Sequence, residues 1–415
     1  MKKSRIAAAL MACLLATVSS AATARAEGDD YSTIIESVQV KKYLVMKKGV
    51  SAPSVTFRYT LAPGQAVAGT EGTYEIKAGP AGAVFAASNS TALTVSFTPD
   101  DSLTAEASAP SGSTIQFATA DTSDEAYAEK TLTVDLSRVT FPAAGIYRYV
   151  VTEQASGMVG ITSDSVNKRY LDIFVHKSDR TDEDTYDPGS AVIRVNSGAP
   201  DADGNAGAAV KSTGFTNRYD TDSLRFSKSV TGNQASGNQY FRFTVKLTGA
   251  RTSGDGDTRM GVDGTFDAQP AENMATVYDA EVMAQANDGV EYVTLEQLRS
   301  GKDFYIKGGQ TVLLTGIPRG MGYTVTAANE DYEPSVEITG DTEGCTVDGG
   351  SVTDSSLTQD TVLAFLNARN DQIPSTGVTA AFAIPAAALL TGLAGLVLLA
   401  ARRIRKRASE GNGIE

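Results

Sequence analysis

The stretch that decides the fold is a short run in which polar and apolar residues alternate. Residues 141–153 read FPAAGIYRYVVTE. Successive side chains of a β-strand point to opposite faces, so Tyr147, Tyr149 and Glu153 share one face of an extended chain. The run follows Pro and Gly, which mark turns, and it is rich in aromatic and β-branched residues. It predicts a strand over Gly145–Glu153 with one buried face.

Runs of the same kind recur on both sides of this stretch. Further examples are Ser54–Leu61, Ala92–Thr98, Thr131–Leu136 and Arg169–His176. Gly, Ser, Asp and Pro separate them, and the only candidate helix is a short turn at Leu295–Ser300. Many short strands with turn signals between them predict an all-β protein built as a sandwich or a barrel.

An internal repeat divides the interior into two units. The matching pairs are 141–153 with IPRGMGYTVTA at 317–327, Phe57–Leu61 with Phe241–Val245, and Phe215–Asn217 with Phe365–Asn367. Such similarity indicates duplicated units. We place the first domain at residues 31–220 and the second at 222–371. The very short junction between them favours a stiff, elongated rod.

Composition narrows the classes of function. The chain has 415 residues, with 36 Lys and Arg against 49 Asp and Glu, a formal net charge of −13, two Cys and one His. The acidic balance argues against a nucleic-acid partner, because no basic surplus exists to neutralise phosphates. So few His and Cys exclude the usual zinc sites and argue against Ser-His-Asp or Cys-His catalysis. We therefore expect no cofactor and no conventional enzymatic activity. A secreted surface enzyme is an alternative that this composition disfavours.

The N-terminal end reads as an export signal. Residues 1–26 combine a basic start, the apolar run Ile6–Val18 and a small-residue cleavage site at Ala24–Ala26, the order typical of a secretory signal peptide. The apolar run is too short to span a bilayer. Cleavage after Ala26 would leave Cys345 as the single cysteine, so we expect an exported protein without an intrachain disulfide.

The C-terminal end carries three signals in order. A pentapeptide precedes the uncharged stretch 378–401, which is long enough to cross a membrane, and a basic tail follows at 402–415. The pentapeptide consists of Ile373, Pro374, Ser375, Thr376 and Gly377. This arrangement resembles the LPxTG-type cell-wall sorting signal of Gram-positive bacteria, with Ile in place of Leu. The resemblance implies that a sortase attacks the Thr376 carbonyl, cuts before Gly377 and passes the new carboxyl group to an amine. The alternative is an ordinary membrane anchor with a chance pentapeptide.

Strand alternation also places polar residues on buried faces. The predicted inward residues are Lys42, Glu153 and Asn217 in the first domain and Lys228 and Asn367 in the second. An inward Lys or Glu is costly unless it has a partner or a chemical role. The alternative is that the Lys side chains reach the rim of the sheet and the Asn side chains satisfy backbone groups.

Amide formation is the chemistry that these three residue types can perform together. A desolvated Lys loses its proton more readily, and a desolvated Glu holds its proton. The neutral amine can then attack the Asn side-chain carbonyl while the protonated Glu donates a hydrogen bond to the carbonyl oxygen. Ammonia leaves, and an isopeptide bond joins the first strand to the last. Proximity in a dry core supplies most of the acceleration.

Three motifs of the first domain resemble those of the streptococcal pilin isopeptide linkage domain. They are Lys42-Tyr43-Leu44, Tyr-x-Tyr-x-x-Thr-Glu at 147–153 and Phe215-Thr216-Asn217-x-Tyr219. The resemblance implies two tandem immunoglobulin-like (Cna B-type) β-sandwiches in a backbone pilin of sortase-assembled pili. It also implies a Lys42–Asn217 bond, with Glu153 as the catalytic acid.

The second domain departs from this pattern. The resemblance pairs Lys228 with Asn367, but Ala327 stands where the catalytic Glu should be. Substitute acids are available in the sequence. They are Glu330, Asp331, Asp279 and Glu281. The sequence therefore leaves open whether the bond between Lys228 and Asn367 forms.

A pilin also needs an amine that accepts the sorted carboxyl group of its neighbour. In two-domain family members this lysine lies shortly before the bonding Asn of the first domain. The matching position here is Lys211, in the polar segment 207–214. We expect this segment to be an exposed flexible loop. Lys168 and Lys177 are alternatives, and Lys211 as ordinary surface charge is another.

The resemblance implies a secreted, wall-anchored protein of the Gram-positive cell surface. Its expected partners are sortase, neighbouring pilin subunits and peptidoglycan, with a host-surface ligand as a further candidate. The competing interpretation is a monomeric wall-anchored adhesin or a minor pilin with the same domains.

Overall fold

The computed structural model describes residues 34–70, 73–81, 93–105, 109–117, 124–178, 184–198, 210–264, 292–329 and 331–370. Within them almost all regular structure is β-strand, which confirms the all-β prediction. The predicted signal peptide, sorting motif, membrane span and basic tail lie outside the described residues. Among the residues described, no helix has the length and apolar character that crossing a membrane requires.

Ten strands build the described part of the first sandwich. They are β1 (Ser37–Lys47), β2 (Val55–Pro63), β3 (Ile76–Ala78), β4 (Leu93–Phe97), β5 (Glu125–Asp135), β6 (Gly145–Glu153), β7 (Ile161–Thr162), β8 (Lys168–Lys177), β9 (Tyr186–Arg194) and β10 (Gly214–Tyr219). One sheet has the order β5-β1-β10-β7, and the other has the order β4-β2-β6-β8-β9 with β3 beside β6. The core between them includes Phe57, Tyr149 and Phe215, all fully buried.

Eleven strands and one short α-helix build the described part of the second sandwich. They are β11 (Thr221–Thr231), β12 (Tyr240–Thr248), β13 (Arg259–Gly264), β14 (Tyr292–Thr294), α1 (Leu295–Ser300), β15 (Lys302–Lys307), β16 (Thr311–Pro318), β17 (Gly322–Ala327), β18 (Glu333–Thr339), β19 (Thr346–Asp348), β20 (Ser351–Asp354) and β21 (Thr361–Ala368). The sheet orders are β14-β13-β16-β11-β21-β18 and β15-β12-β17-β20-β19. Helix α1 begins at a capping box, in which Thr294 and Gln297 exchange side-chain to backbone hydrogen bonds.

In each sandwich the first strand pairs in parallel with the last. Strand β1 lies beside β10 with Lys42 opposite Phe215, and β11 lies beside β21 with Lys228 opposite Phe365. The two pairings have the same register. Because alternate residues share a face, both bring an inward Lys next to the inward Asn that lies two positions beyond its partner.

Strand β1 is covered on its inner face and, around Tyr43 and Val45, on its outer face as well. Its inward residues join the main core, as alternation predicts. On the other face, Tyr43 and Val45 pack with Ile115 and Tyr127 in a separate small cluster. The segment 109–117 thus protects the strand that carries Lys42 from solvent on its outer side.

A single residue joins the two sandwiches, since β10 ends at Tyr219 and β11 begins at Thr221. The N–H of this residue, Asp220, donates to the Gly160 carbonyl at 2.8 Å, and its carbonyl accepts from the Arg319 N–H at 2.9 Å. The connecting backbone is therefore hydrogen-bonded to both sandwiches at once.

Candidate functional site

The three predicted polar residues of the first sandwich meet in its core. Lys42 lies on β1, Glu153 ends β6 and Asn217 lies on β10, and each is at most 4% exposed. Lys42 Nζ donates to Glu153 Oε2 at 2.6 Å. Asn217 Nδ2 donates to Glu153 Oε1 at 2.6 Å. One carboxylate thus bridges the amine and the amide.

Strand register explains how the two sheets present these groups to one another. Glu153 lies opposite Tyr59 on β2, and Lys42 reaches across from the facing sheet to within 4.2 Å of the Phe57 ring centre. An aromatic face attracts an ammonium group when water is excluded. The inner face of β2 therefore provides an apolar floor beneath the polar cluster.

Burial sets the protonation behaviour of the site. It lowers the pKa of the Lys42 amine from 10.5 to about 8, although the Glu153 carboxylate acts in the opposite direction. Burial and then the charge of Glu153 raise the pKa of the Tyr59 hydroxyl. The amine is consequently easier to deprotonate than a lysine in water.

The oxygen of Asn217 has a partner that the sequence did not indicate. The backbone N–H of Asp164, in the loop between β7 and β8, donates to Asn217 Oδ1 at 2.9 Å. The prediction that Glu153 donates a hydrogen bond to this oxygen is therefore wrong. Glu153 contacts the amide nitrogen instead, because the loop fills the position beside the oxygen.

Asp164 is itself held by a buried arginine, Arg169 on β8. Arg169 Nη2 donates to Asp164 Oδ2 at 2.6 Å, and its guanidinium lies 4.6 Å from the Phe215 ring centre. Alternation with Leu171 and Ile173 places Arg169 on the inner face, a signal that sequence reasoning missed. Nothing in the sequence around Asp164 marks it as other than a surface turn.

The second sandwich positions its lysine and asparagine in the same way, but their buried polar atoms form no hydrogen bonds within the described residues. Lys228 Nζ lies 4.4 Å from the Phe241 ring centre, the counterpart of the Lys42–Phe57 contact. Neither this amine nor either polar atom of Asn367 has a hydrogen-bond partner among the described residues. Burial lowers the pKa of Lys228 from 10.5 to about 7.

The expected acid is absent from the equivalent position. Ala327 lies opposite Phe243 on β12, as Glu153 lies opposite Tyr59. Of the substitutes considered, Asp331 has a side chain that is 82% exposed and pairs with Arg369 at 3.8 Å, so it does not serve Lys228. Glu330, Asp279 and Glu281 lie outside the described residues.

Lys211 is exposed, but its immediate surroundings are ordered. Val195 N–H donates to the Val210 carbonyl, and Ser212 N–H donates to the Ile193 carbonyl, both at 2.9 Å. Residues 210–212 thus run along the end of β9, where a flexible loop was expected. Of the alternatives, Lys177 forms a surface ion pair, and Lys168 is an exposed residue at the start of β8.

The described part of the chain contains no cluster of His, Cys, Asp and Glu that could hold a metal ion. Cys345 is partly buried, and its sulfur lies 3.4 Å from the Tyr323 hydroxyl. Burial raises the pKa of its thiol, so it is not an activated nucleophile.

One family model and a pilus tip adhesin match parts of the chain. Residues 222–369 match a domain of unknown function, DUF7601. The pilus tip adhesin Cpa of Streptococcus pyogenes is 29% identical over 160 residues, which are 38% of this chain and 18% of that protein. The aligned part thus spans less than a fifth of the curated relative.

Two solved structures share the architecture. The major pilin protein T3.2 of Streptococcus pyogenes superimposes with a TM-score of 0.51 at 20% identity, covering 80% of this chain and 98% of that one. Another major pilin of Streptococcus pyogenes gives a TM-score of 0.50 at 18% identity, covering 81% and 99%. These likenesses extend across both sandwiches and concern the fold.

Proposed function

We propose that this chain is a structural subunit of a covalent surface pilus, stabilised by intramolecular Lys–Asn isopeptide bonds. One observation carries the proposal: Glu153 bridges Lys42 and Asn217 in a dry core, between the first and last strands of a sandwich. The similarity to a pilus tip adhesin and the fold shared with major pilins support the pilus role.

The bond of the first sandwich forms in a single turnover. Glu153 takes a proton from Lys42 Nζ, and the neutral amine attacks Asn217 Cγ. As the Nζ–Cγ bond forms, Glu153 gives this proton to Nδ2 and takes the second proton from Nζ. The Cγ–Nδ2 bond breaks, and the leaving nitrogen departs as ammonia. Both nitrogens lie 2.6 Å from this carboxylate, within reach for general acid–base catalysis. Lys42 and Asn217 are consumed, so the chain is not a conventional enzyme.

The crosslink would take the mechanical and thermodynamic role of a disulfide. It ties β1 to β10 and closes nearly the whole first sandwich as one loop. In the chain-entropy description, a loop of this length contributes roughly 5 kcal/mol. Tension applied to the two ends of the sandwich would then load a covalent bond and bypass most of the hydrogen-bonded strands.

For the second sandwich we propose a bond between Lys228 and Asn367 that forms more slowly. Their register equals that of the first pair, and both side chains are buried without hydrogen bonds among the described residues. Unsatisfied buried polar groups are costly, and amide formation reduces their number. Position 327 carries no carboxyl group, and Lys228 Nζ has no carboxylate partner among the described residues, which is why the rate should be lower.

Assembly would follow export directed by residues 1–26. In this proposal, sortase cleaves between Thr376 and Gly377 and joins Thr376 to Lys211 of the next subunit, repeating to give a fibre whose last member is attached to peptidoglycan. The exposure of Lys211 supports its choice as the acceptor, because an enzyme must reach its amine.

A second candidate is a wall-anchored adhesin or a minor pilin. The match to a pilus tip adhesin favours it, since such a subunit would use the same sandwiches and sorting motif without forming the fibre shaft. Its host-surface ligand would be a further partner.

A wall extract from cells that make the protein distinguishes the two. A ladder that withstands boiling in SDS supports the polymer, and a Thr376→Ala variant should abolish it. A monomer band alone would overturn the backbone role in favour of the second candidate. Peptide mapping of the same material would detect the branched peptide that contains Lys42 and Asn217, and its absence would refute the crosslinking chemistry.

A further inference from the structure

The carbonyl oxygen of Asn217 lies in a preformed hydrogen-bonding site. The Asp164 N–H donates to Oδ1 at 2.9 Å. On the other side of the amide, Nδ2 contacts Glu153. The oxygen and the nitrogen of the reacting amide therefore have separate partners.

The Asp164 side chain fixes the position of its own backbone. Its Oδ2 accepts from Arg169 Nη2 at 2.6 Å and from the Thr216 N–H at 2.9 Å. Its Oδ1 accepts from the Val166 N–H at 2.9 Å. Thr216 directly precedes Asn217, so the loop and the reacting strand are locked together at this point.

Arg169 anchors this network from within the core. The residue is fully buried, and its Nε donates to the Gly214 carbonyl at 2.6 Å. A charged hydrogen bond held by a buried arginine is rigid as well as strong. The Asp164 N–H is consequently aimed before any reaction begins.

We infer that the backbone N–H of Asp164 is the oxyanion donor for isopeptide formation, and that the Asp164 carboxylate and Arg169 are its positioning groups. This inference rests on the proposed crosslinking. When Lys42 Nζ adds to Cγ, the carbonyl electron pair moves onto Oδ1, which becomes negative. A preorganised N–H in a dry site stabilises such an oxygen more than it stabilises the starting amide.

The protons follow a different route from the charge. Nζ loses two protons in turn to Glu153, which passes one of them to Nδ2 and keeps the other. The electron pair on Oδ1 then re-forms the carbonyl as the Cγ–Nδ2 bond breaks and ammonia leaves. Glu153 thus serves the two nitrogens, and Asp164 serves the oxygen.

The second sandwich supplies a comparison within the same chain. Asn367 Oδ1 has no donor among the described residues, and Nδ2 also has none. Among the described residues, the second site therefore lacks both the proton relay and the oxyanion donor, although its lysine and asparagine have the same register.

An amide-to-ester replacement tests the donor directly. The full chain is made by cell-free synthesis with the α-hydroxy analogue of aspartate at position 164, which removes the N–H and keeps the side chain. Formation of the branched peptide with Lys42 and Asn217 is followed over time by mass spectrometry. The matched control is the α-hydroxy analogue of serine at Ser137, whose N–H donates to Asp135 in an exposed turn.

We expect the position-164 ester to slow bond formation roughly 100-fold, the usual effect of removing one oxyanion donor, and the control ester to leave the rate unchanged. Equal rates in the two esters would overturn the role of Asp164 and leave the crosslinking intact. Absence of the branched peptide in the unmodified chain would instead overturn the proposed crosslinking.

Folding is controlled in a Lys42→Met background, which cannot crosslink. There the two esters should melt within a few degrees of each other.

A second variant, Asp164→Asn, serves if the position-164 ester is unfolded. It weakens the contact with Arg169 and keeps the backbone N–H. It should slow bond formation about tenfold without a change in the melting temperature of the Lys42→Met protein. An unchanged rate in Asp164→Asn would contradict the positioning role.

Discussion

Glu153 and Ala327 occupy the same position in the two sandwiches. Glu153 lies opposite Tyr59 on β2, and Ala327 lies opposite Phe243 on β12. The lysine and asparagine beside them share one register in both sandwiches. Among the described residues, the two sites therefore differ in the group able to move a proton and in the donor to the asparagine oxygen.

Replacing Glu153 by Gln should abolish the first crosslink. Gln keeps the size of the side chain but cannot accept the proton of Lys42 Nζ. We expect no branched peptide with Lys42 and Asn217, and a melting temperature lower by roughly 10–20 °C from the lost loop constraint. Peptide mapping and calorimetry measure the two effects.

The control for this variant is Glu129→Gln. Glu129 pairs with Lys41 on the surface at 2.5 Å, one residue from Lys42, so this change removes a carboxylate near the site but outside the core. Exposed pairs contribute little, and the crosslink should form normally. A wild-type amount of branched peptide in Glu153→Gln would contradict the proton relay.

Introducing the missing acid should accelerate the second crosslink. In Ala327→Glu the new carboxyl group would lie beside Lys228, as Glu153 lies beside Lys42. We expect the branched peptide with Lys228 and Asn367 to form roughly 100-fold faster, the lower end of the usual range for general acid–base catalysis. Time-resolved peptide mapping measures the rate. Ala327→Gln, of equal size but unable to carry the proton, should leave it unchanged, and equal rates for the two variants would argue against the relay.

Alternation predicted the inner faces of the strands well. Strand β6 spans Gly145–Glu153 and helix α1 spans Leu295–Ser300, as expected. The inward placement of Lys42, Glu153 and Asn217 also followed from it, because a period of two fixes which residues of a strand share a face.

Alternation could not predict what covers the outer faces. Arg148 lies on the outer side of β6 yet is buried, in a double hydrogen bond with Asp172 and in contact with the Ser197 carbonyl. The loops that cover it have no periodic pattern, so their placement depends on tertiary packing alone. The contact between Asp164 and Asn217 was missed for the same reason.

The stability of an uncrosslinked second sandwich should rise with pH. Asn367→Leu prevents the bond and leaves the Lys228 amine free, with its pKa lowered by burial to about 7. Between pH 7 and 10.5 the unfolded chain binds a proton that the folded chain does not, so folding becomes more favourable as pH increases. Thermal unfolding across this range should show the rise.

The rise should be absent when the amine is removed. The double variant Asn367→Leu with Lys228→Met has an apolar side chain of similar length in place of the lysine, and its melting temperature should vary less between pH 7 and 10. The melting temperature of the wild-type second sandwich should also vary little over this range once Lys228 is bonded to Asn367. A melting temperature that falls over this range in Asn367→Leu would contradict the assignment of the effect to Lys228.

Lys211→Arg should abolish the polymer ladder of wall extracts. Arg keeps the positive charge, but its guanidinium is not a nucleophile at neutral pH, so Thr376 of a neighbour finds no acceptor. Lys168→Arg and Lys177→Arg, on the exposed ends of β8, are matched controls and should leave the ladder intact. A ladder that persists in Lys211→Arg and is lost in either control would move the acceptor to that residue.

The junction between the sandwiches should loosen when Arg319 is replaced by Ala. Asp222, whose side chain is 2% exposed, accepts two hydrogen bonds of 2.8 Å from the Arg319 guanidinium. Lys47 lies 3.8 Å from the same carboxylate. Without Arg319, the buried Asp222 carboxylate keeps only Lys47, at 3.8 Å, as an ion-pair partner among the described residues. Because Arg319 is half exposed, we expect a cost of roughly 1–3 kcal/mol, below that of a fully buried pair.

This cost should appear as a loss of coupling between the sandwiches. In the unmodified protein Asp220 is hydrogen-bonded to both of them, so calorimetry should show them unfolding together or nearly so. In Arg319→Ala the two transitions should separate, and cleavage near residue 220 by a nonspecific protease should become faster. Arg251→Ala, which removes the exposed pair with Glu296, should change neither. Unchanged cleavage and calorimetry in Arg319→Ala would mean that the single-residue linker and the packing of the two sandwiches hold the junction without the ion pair.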